Sequence, residues 1–329
     1  NEALEARAIR DFRYVRSRNP WRTLLNFSIT PDSNFNNGSS ERSSFLNYQL
    51  SEALFGEQVE YGLNGSAVAL SGIEYAVGVL SRYRFAETAT RAHDLIMTAN
   101  YRTYSLSSEA KALAPSAEGN DFAFGSYSFG YSFKGLTNGR KGEYRITTDL
   151  GQSWYGGEEY ATFVRLSGGQ SFRMDKGRTL RVRLAAERQF GKQRSDADTW
   201  RSDFSYSFRL GSGASIWTNL TAAVSTSPVA QDELQEIGLQ AQLTLAKPIM
   251  GATAHFGLSA RDRSYDISPH SRDGRQEDTV EAEFTMVFRQ IDYYGFNPTM
   301  RISAANTDSN IALYKSARFG VNFGIQSAF

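Results

Sequence analysis

Residues 310–329 read NIALYKSARFGVNFGIQSAF, and taken in twos from the end they separate into two rows. Ser327, Ile325, Phe323, Val321, Phe319 and Ala317 make a largely apolar row; Ala328, Gln326, Gly324, Asn322, Gly320 and Arg318 make a polar or small one. A period of two predicts a β-strand whose faces meet different surroundings, and the length suits a tilted bilayer span. The same alternation begins at residues 21–30 with Trp21, Leu25, Phe27 and Ile29, and continues with a strand placed at residues 65–83 carrying Ile73, Tyr75, Val77 and Val79. It recurs with Leu95, Met97 and Tyr101; with Tyr127, Phe129 and Tyr131; and on through Ile237, Leu239 and Leu243 to Val280, Phe284 and Phe288. About fourteen strands result, an even number as bacterial single-chain barrels have.

The opposite rows hold the charge: Arg145, Asp149, Arg165, Arg181, Arg183, Glu187, Arg201, Asp203, Arg261, Glu281, Glu283 and Arg301. A charge facing lipid at the midplane costs about 2–4 kcal/mol, so these side chains are expected to face a polar lumen. Glu281 and Glu283 are read as ion-pair partners for lumen arginines rather than as a metal or acid pair. The fold expected is all-β: a closed, antiparallel, up-and-down transmembrane barrel spanning residues 21–329. Short and long connections alternate along the chain, which puts the short set and both termini on the periplasmic side and the long set outside. Residues 1–20 break the pattern. Leu4, Ala8, Phe12 and Val15 lie at helical spacing before Asn19-Pro20, so a short N-terminal helix is expected, either capping the barrel or ending a truncated helical domain.

Composition changes this picture little. With 36 Lys+Arg against 35 Asp+Glu, no nucleic-acid partner is expected, and without cysteine there is no thiolate chemistry. Mean hydropathy is negative and no long apolar run exists, which argues against membrane helices but is blind to strands that are apolar at every second position. The stretch before Asn19 lacks the apolar centre of a signal peptide, so an exported chain would have been processed or truncated.

Two segments carry a family resemblance. NPWRTLLNFSITPDSNFNNGSS at residues 19–40 runs a tryptophan-led strand into P-D-S-N-x-N-N; GFNPTMRISAANTDSNIALYKSARFGVNFGIQSAF at residues 295–329 joins a G-x-N-P strand to S-N-I-x-L-Y and the final strand. Together they resemble the C-terminal barrel of the surface lipoprotein assembly modifiers (Slam proteins) of Gram-negative bacteria. The resemblance implies a periplasmic helical-repeat domain before the barrel. It also implies a translocator that delivers surface lipoproteins, or related secreted proteins, across the outer membrane. Its partners would be outer-membrane lipids, the barrel-assembly machinery and a client protein; a passive porin-like channel is the alternative.

Asp32, Ser33, Asn34 and Asn36 form the motif loop, whose plainer role is for Asx side chains such as Asp32, Asn34 and Asn37 to cap their own backbone. Phe329, with Ile325, Phe323 and Val321, resembles the assembly signal of outer-membrane barrels. No cofactor or catalytic residue is expected: His255 and Ser259 face the same side of one strand without a triad signature. Since about fourteen strands enclose more space than side chains fill, the first connection, residues 31–64, is expected to plug the lumen through Leu50, Leu54 and Phe55 while Glu52 and Glu57 meet inward arginines.

Overall fold

The computed structural model describes residues 19–137 and 141–327. The expected N-terminal helix lies outside them, as does Phe329. Sixteen strands occur in chain order: β1 (Trp21–Asp32), β2 (Ser43–Phe45), β3 (Glu60–Gly62), β4 (Gly72–Glu87), β5 (Arg91–Leu106), β6 (Phe124–Leu136), β7 (Gly142–Tyr155) and β8 (Glu158–Arg173). They continue as β9 (Thr179–Gly191), β10 (Ala197–Arg209), β11 (Ser215–Thr226), β12 (Leu234–Thr244), β13 (Thr253–Tyr265), β14 (Arg275–Val287), β15 (Phe296–Ser309) and β16 (Ser316–Ser327). Fourteen of these, all but β2 and β3, close into one antiparallel barrel in which each strand pairs with its neighbours in sequence and β1 joins β16. Closure leaves no open edge, as lipid requires, because an unpaired backbone group has no water there to satisfy it. Among the described residues no helix is long and apolar enough to cross a membrane, which bears only on helices.

Alternation decides which way each residue points. The row carrying Phe129, Leu150, Leu184, Trp200, Ile237, Leu239, Leu258 and Phe323 is exposed on the outer wall. Such exposure is untenable in water over so large an area and is what a lipid-facing band needs. The second barrel strand begins at Gly72 rather than near residue 65. Gly65–Ala67 is instead a 3-10 turn, with Gly65 at a φ of 59°, because the chain needs those residues to return from the barrel mouth. β2 and β3 form a separate small hairpin within the first connection, with a helix at Tyr48–Phe55 between them. The connections at one end include the first, residues 33–71, and the β5–β6 connection, which carries a second helix at Ser108–Leu113. At the other end they are tight turns such as the one through Gly213 (φ 86°).

Candidate functional site

The compact apolar cluster of this molecule is at the mouth, where the first connection leaves β1. Phe35 is 4% exposed and Leu70 fully buried, packed with Tyr104, Ala110 and Ala114. The Phe35 ring stacks on Tyr104 at 4.6 Å and meets Phe122 edge-on at 5.3 Å. Tyr104 lies on the inward row of β5 and donates its hydroxyl to Glu74 Oε2 across the β4–β5 pair at 3.1 Å. Phe35 is therefore folded in against the lumen wall.

The motif residues hold it there. Asp32 Oδ1 accepts the Asn34 amide at 2.9 Å, an Asx turn, while Oδ2 accepts Arg318 Nε from β16 at 2.7 Å. Asn34 accepts the Gly38 amide and donates to the carbonyls of Gly38 and Ala317, tying the turn to the last strand. Ser33 accepts the Phe319 amide at 2.8 Å. Asn36 acts as a strand without a backbone: its side chain donates to the carbonyls of Ser66 and Val68 and accepts the Leu70 amide at 2.8 Å. The chain at Gly38 passes so close to Val68 that a Cβ would strike the Val68 carbonyl. Each side chain thus satisfies backbone groups of a loop that has no sheet to join.

Beyond Gly38 the connection follows the rim. Ser39 donates to the Ala312 carbonyl, the Tyr48 amide donates to the Pro269 carbonyl, and Glu52 pairs with Arg272. Its contacts extend from the β5–β6 connection on one side to the β13–β14 connection on the other. The expected plug therefore needs correction. The Tyr48–Phe55 helix forms, capped by Asn47 and Gly56, but it docks through Ser51, 1% exposed, and leaves Leu50, Leu54 and Phe55 at 58%, 64% and 63%. Glu52 meets a loop arginine rather than a lumen one. The group that fills part of the mouth is the Phe35 cluster, because the short tether from β1 through Asn34 places Phe35 inward before the helix begins.

The predicted charges sit on the rows opposite the exposed apolar ones. Arg165 pairs with Glu187 across β8–β9, Arg201 with Asp203 along β10, and Arg301 with Glu283 at 3.8 Å. Asp203 also accepts from Thr221 at 2.8 Å. Arg145, Asp149, Arg181 and Arg183 border a polar cavity of about 320 Å³ on the β7–β9 wall, its floor made by Gly168 and Gly169. Arg261 and Glu281 line a second of about 210 Å³. A buried carboxylate shared by three cations has no counterpart among the charges expected above: Asp94, 2% exposed, receives Arg84 Nε at 2.8 Å and stands 3.6 Å from Lys134 and 3.9 Å from Arg82. Its signal lay in hairpin register, since Arg84 falls directly opposite Asp94 once β4 and β5 are paired. Val321, Phe323 and Ile325 occupy the outward row of β16, the latter two at 54% and 42% exposure.

His255 bonds Thr244 at 2.8 Å, and Ser259 lies opposite Glu281 on the next strand rather than beside His255. Among the described residues no three His, Cys, Asp or Glu side chains are grouped to hold a metal ion.

No family model matches the chain, and no curated relative does. Among solved structures, CdiB from Acinetobacter baumannii aligns at 11% identity and a TM-score of 0.45, over 92% of this chain and 60% of that one. A loop-deleted OmpT, an outer membrane protein of Vibrio cholerae, aligns at 7% and 0.43, over 94% and 99%. An anion-selective porin from Comamonas acidovorans aligns at 9% and 0.37, over 94% and 100%. Likeness at this level concerns strand architecture and says nothing of cargo or activity.

Proposed function

We propose that this barrel lies in the outer membrane of a Gram-negative bacterium, termini in the periplasm, and delivers a lipid-anchored or related secreted protein to the cell surface. One observation carries the reading. The segment Asp32, Ser33, Asn34 and Asn36, which bears the Slam resemblance, builds the folded cap at the mouth, so motif and mouth are the same object. A cap anchored by side chains to β16 and to the returning segment, residues 66–70, suits a pore that must hold its seal around a moving client. The exposed ridge of Leu50, Leu54 and Phe55 beside it offers apolar surface to a protein partner. In this reading the protein catalyses no reaction, the barrel-assembly machinery inserts it through its last strand, and its preceding region gathers the client.

A passive channel for small solutes is the second reading, favoured by the arginine-lined cavity on the β7–β9 wall. Co-expression with lipoproteins from the same source, scored by protease access on intact cells, tests the first. Client at the surface only with this chain, together with low resting conductance in planar bilayers, supports translocation; steady conductance and size-limited solute uptake without display would establish the channel instead.

A further inference from the structure

Charge is distributed unevenly down the lumen. Towards the end that carries the long connections, opposite charges meet across strands: Arg263 of β13 reaches Glu236 of β12 at 2.7 Å, and Arg318 of β16 pairs with Asp32 of β1. Towards the tight-turn end like charges face each other. Arg22 of β1 lies directly opposite Arg82 of β4, and Lys134 of β6 directly opposite Arg145 of β7, while the single carboxylate of Asp94 is shared among Arg82, Arg84 and Lys134. Like charges in register weaken a sheet, so this basic arc costs the barrel stability rather than adding to it.

The arc runs on into the cavity of about 320 Å³ on the β7–β9 wall. Register sets Arg145, Gly169 and Arg183 side by side on β7, β8 and β9, so two arginines flank a position that has no side chain. Arg181 precedes Arg183 by two positions, about 6.6 Å along the same face of the strand, and lies between Ser171 and Ser205. The nearby carboxylates are engaged elsewhere. Glu143 pairs with Arg145 at 2.9 Å. Asp149 borders the cavity, but its carboxylate leans over Gly130 of β6, where a side chain would strike it. Asp203, opposite Arg183, holds Arg201 at 3.0 Å and Thr221 at 2.8 Å. Among the described residues Arg181 and Arg183 make no ion pair.

We propose that this cavity binds a phosphate monoester dianion. Its charge of about −1.5 to −2 matches two guanidiniums left without an acid. Both rise from one face of one strand and can converge on a single group whose oxygens suit their forks, whereas a dicarboxylate splits the same charge between two groups. A volume of about 320 Å³ is at the small end for ligand sites, room for a phosphate on a short polyol rather than for a polymer. Ser167, which also lines the cavity, offers a hydroxyl to the polyol. The basic arc around it draws anions to the mouth before the cavity holds one. Neither reading of the pore is needed for this site, and its failure leaves both standing.

The test is isothermal titration of the full-length protein, in phosphatidylcholine nanodiscs at fixed chloride, with glycerol 1-phosphate. Saturable binding of one ligand per barrel is expected, weakened at least about tenfold by Arg181→Gln combined with Arg183→Gln. Arg209→Gln takes a positive charge from the inward row at the same mouth, outside the cavity, and should change affinity less than about twofold. Heat-modifiable migration confirms that the variants fold. Succinate, and glycerophosphoethanolamine as the headgroup diester of a phospholipid, should each bind the unaltered protein at least about tenfold more weakly. Those ligand comparisons need no variant. Absence of saturable binding, equal weakening by Arg209→Gln, or succinate or the diester binding as tightly as the monoester overturns the proposal.

Discussion

Leu239 and Gln240 are consecutive on β12, and the barrel register puts them on opposite sides of the wall. Leu239 is at the middle of the strand, 56% exposed on the outer row between Leu220 of β11 and Ala260 of β13. Gln240 points inward between Asn219 and Ser259, beside the cavity that Arg261 and Glu281 line. Arginine at 239 must place its guanidinium in hydrocarbon at a cost of about 2–4 kcal/mol, which is roughly a 30- to 900-fold change in the folding equilibrium. Arginine at 240 meets water and mixed charge, so its effect should fall within about 0.5 kcal/mol. Refolding into phospholipid vesicles over a urea series, followed by gel migration without boiling, gives both values. Equal stability of Leu239→Arg and Gln240→Arg would refute the assignment of faces, since a one-residue slip exchanges the two environments along the whole strand.

Three further perturbations address the mouth and the lumen. Phe35→Ala removes the ring stacked between Tyr104 and Phe122, costing the cap about 3–5 kcal/mol; amide exchange across residues 36–70 should accelerate and planar-bilayer conductance should rise, with the urea midpoint of the barrel little changed. Asn36→Leu forfeits three hydrogen bonds, two of them to carbonyls, at about 1–3 kcal/mol for each group left unsatisfied, so limited trypsin digestion at Arg42 should become faster than in the parent protein. Asp94→Asn leaves Arg82, Arg84 and Lys134 without their shared carboxylate, and breaking such a buried group should lower barrel stability by about 3–5 kcal/mol in the same vesicle titration; an unchanged midpoint would mean that lumen water already neutralises the cluster.

By itself the sequence determined the barrel strands, their number and their faces, though not where the second begins, because a bilayer outside and water inside impose a period of two on each of the fourteen strands. It determined as well that charge lies on the rows facing the lumen, and that Asp32, Asn34 and Asn36 are loop-builders, since short amide and carboxylate side chains recur where backbone lacks partners. Only the tertiary structure decided which residue fills the mouth. Phe35 and Leu50 look alike in the sequence, but Phe35 is tethered two turns of hydrogen bonds from β1, whereas the Leu50 helix is carried out along the rim to the β13–β14 connection. The Asp94 cluster likewise needed pairing register, and the β1–β16 pairing needed closure itself, for those strands lie nearly 300 residues apart and their contact exists only once every strand between them has been laid down.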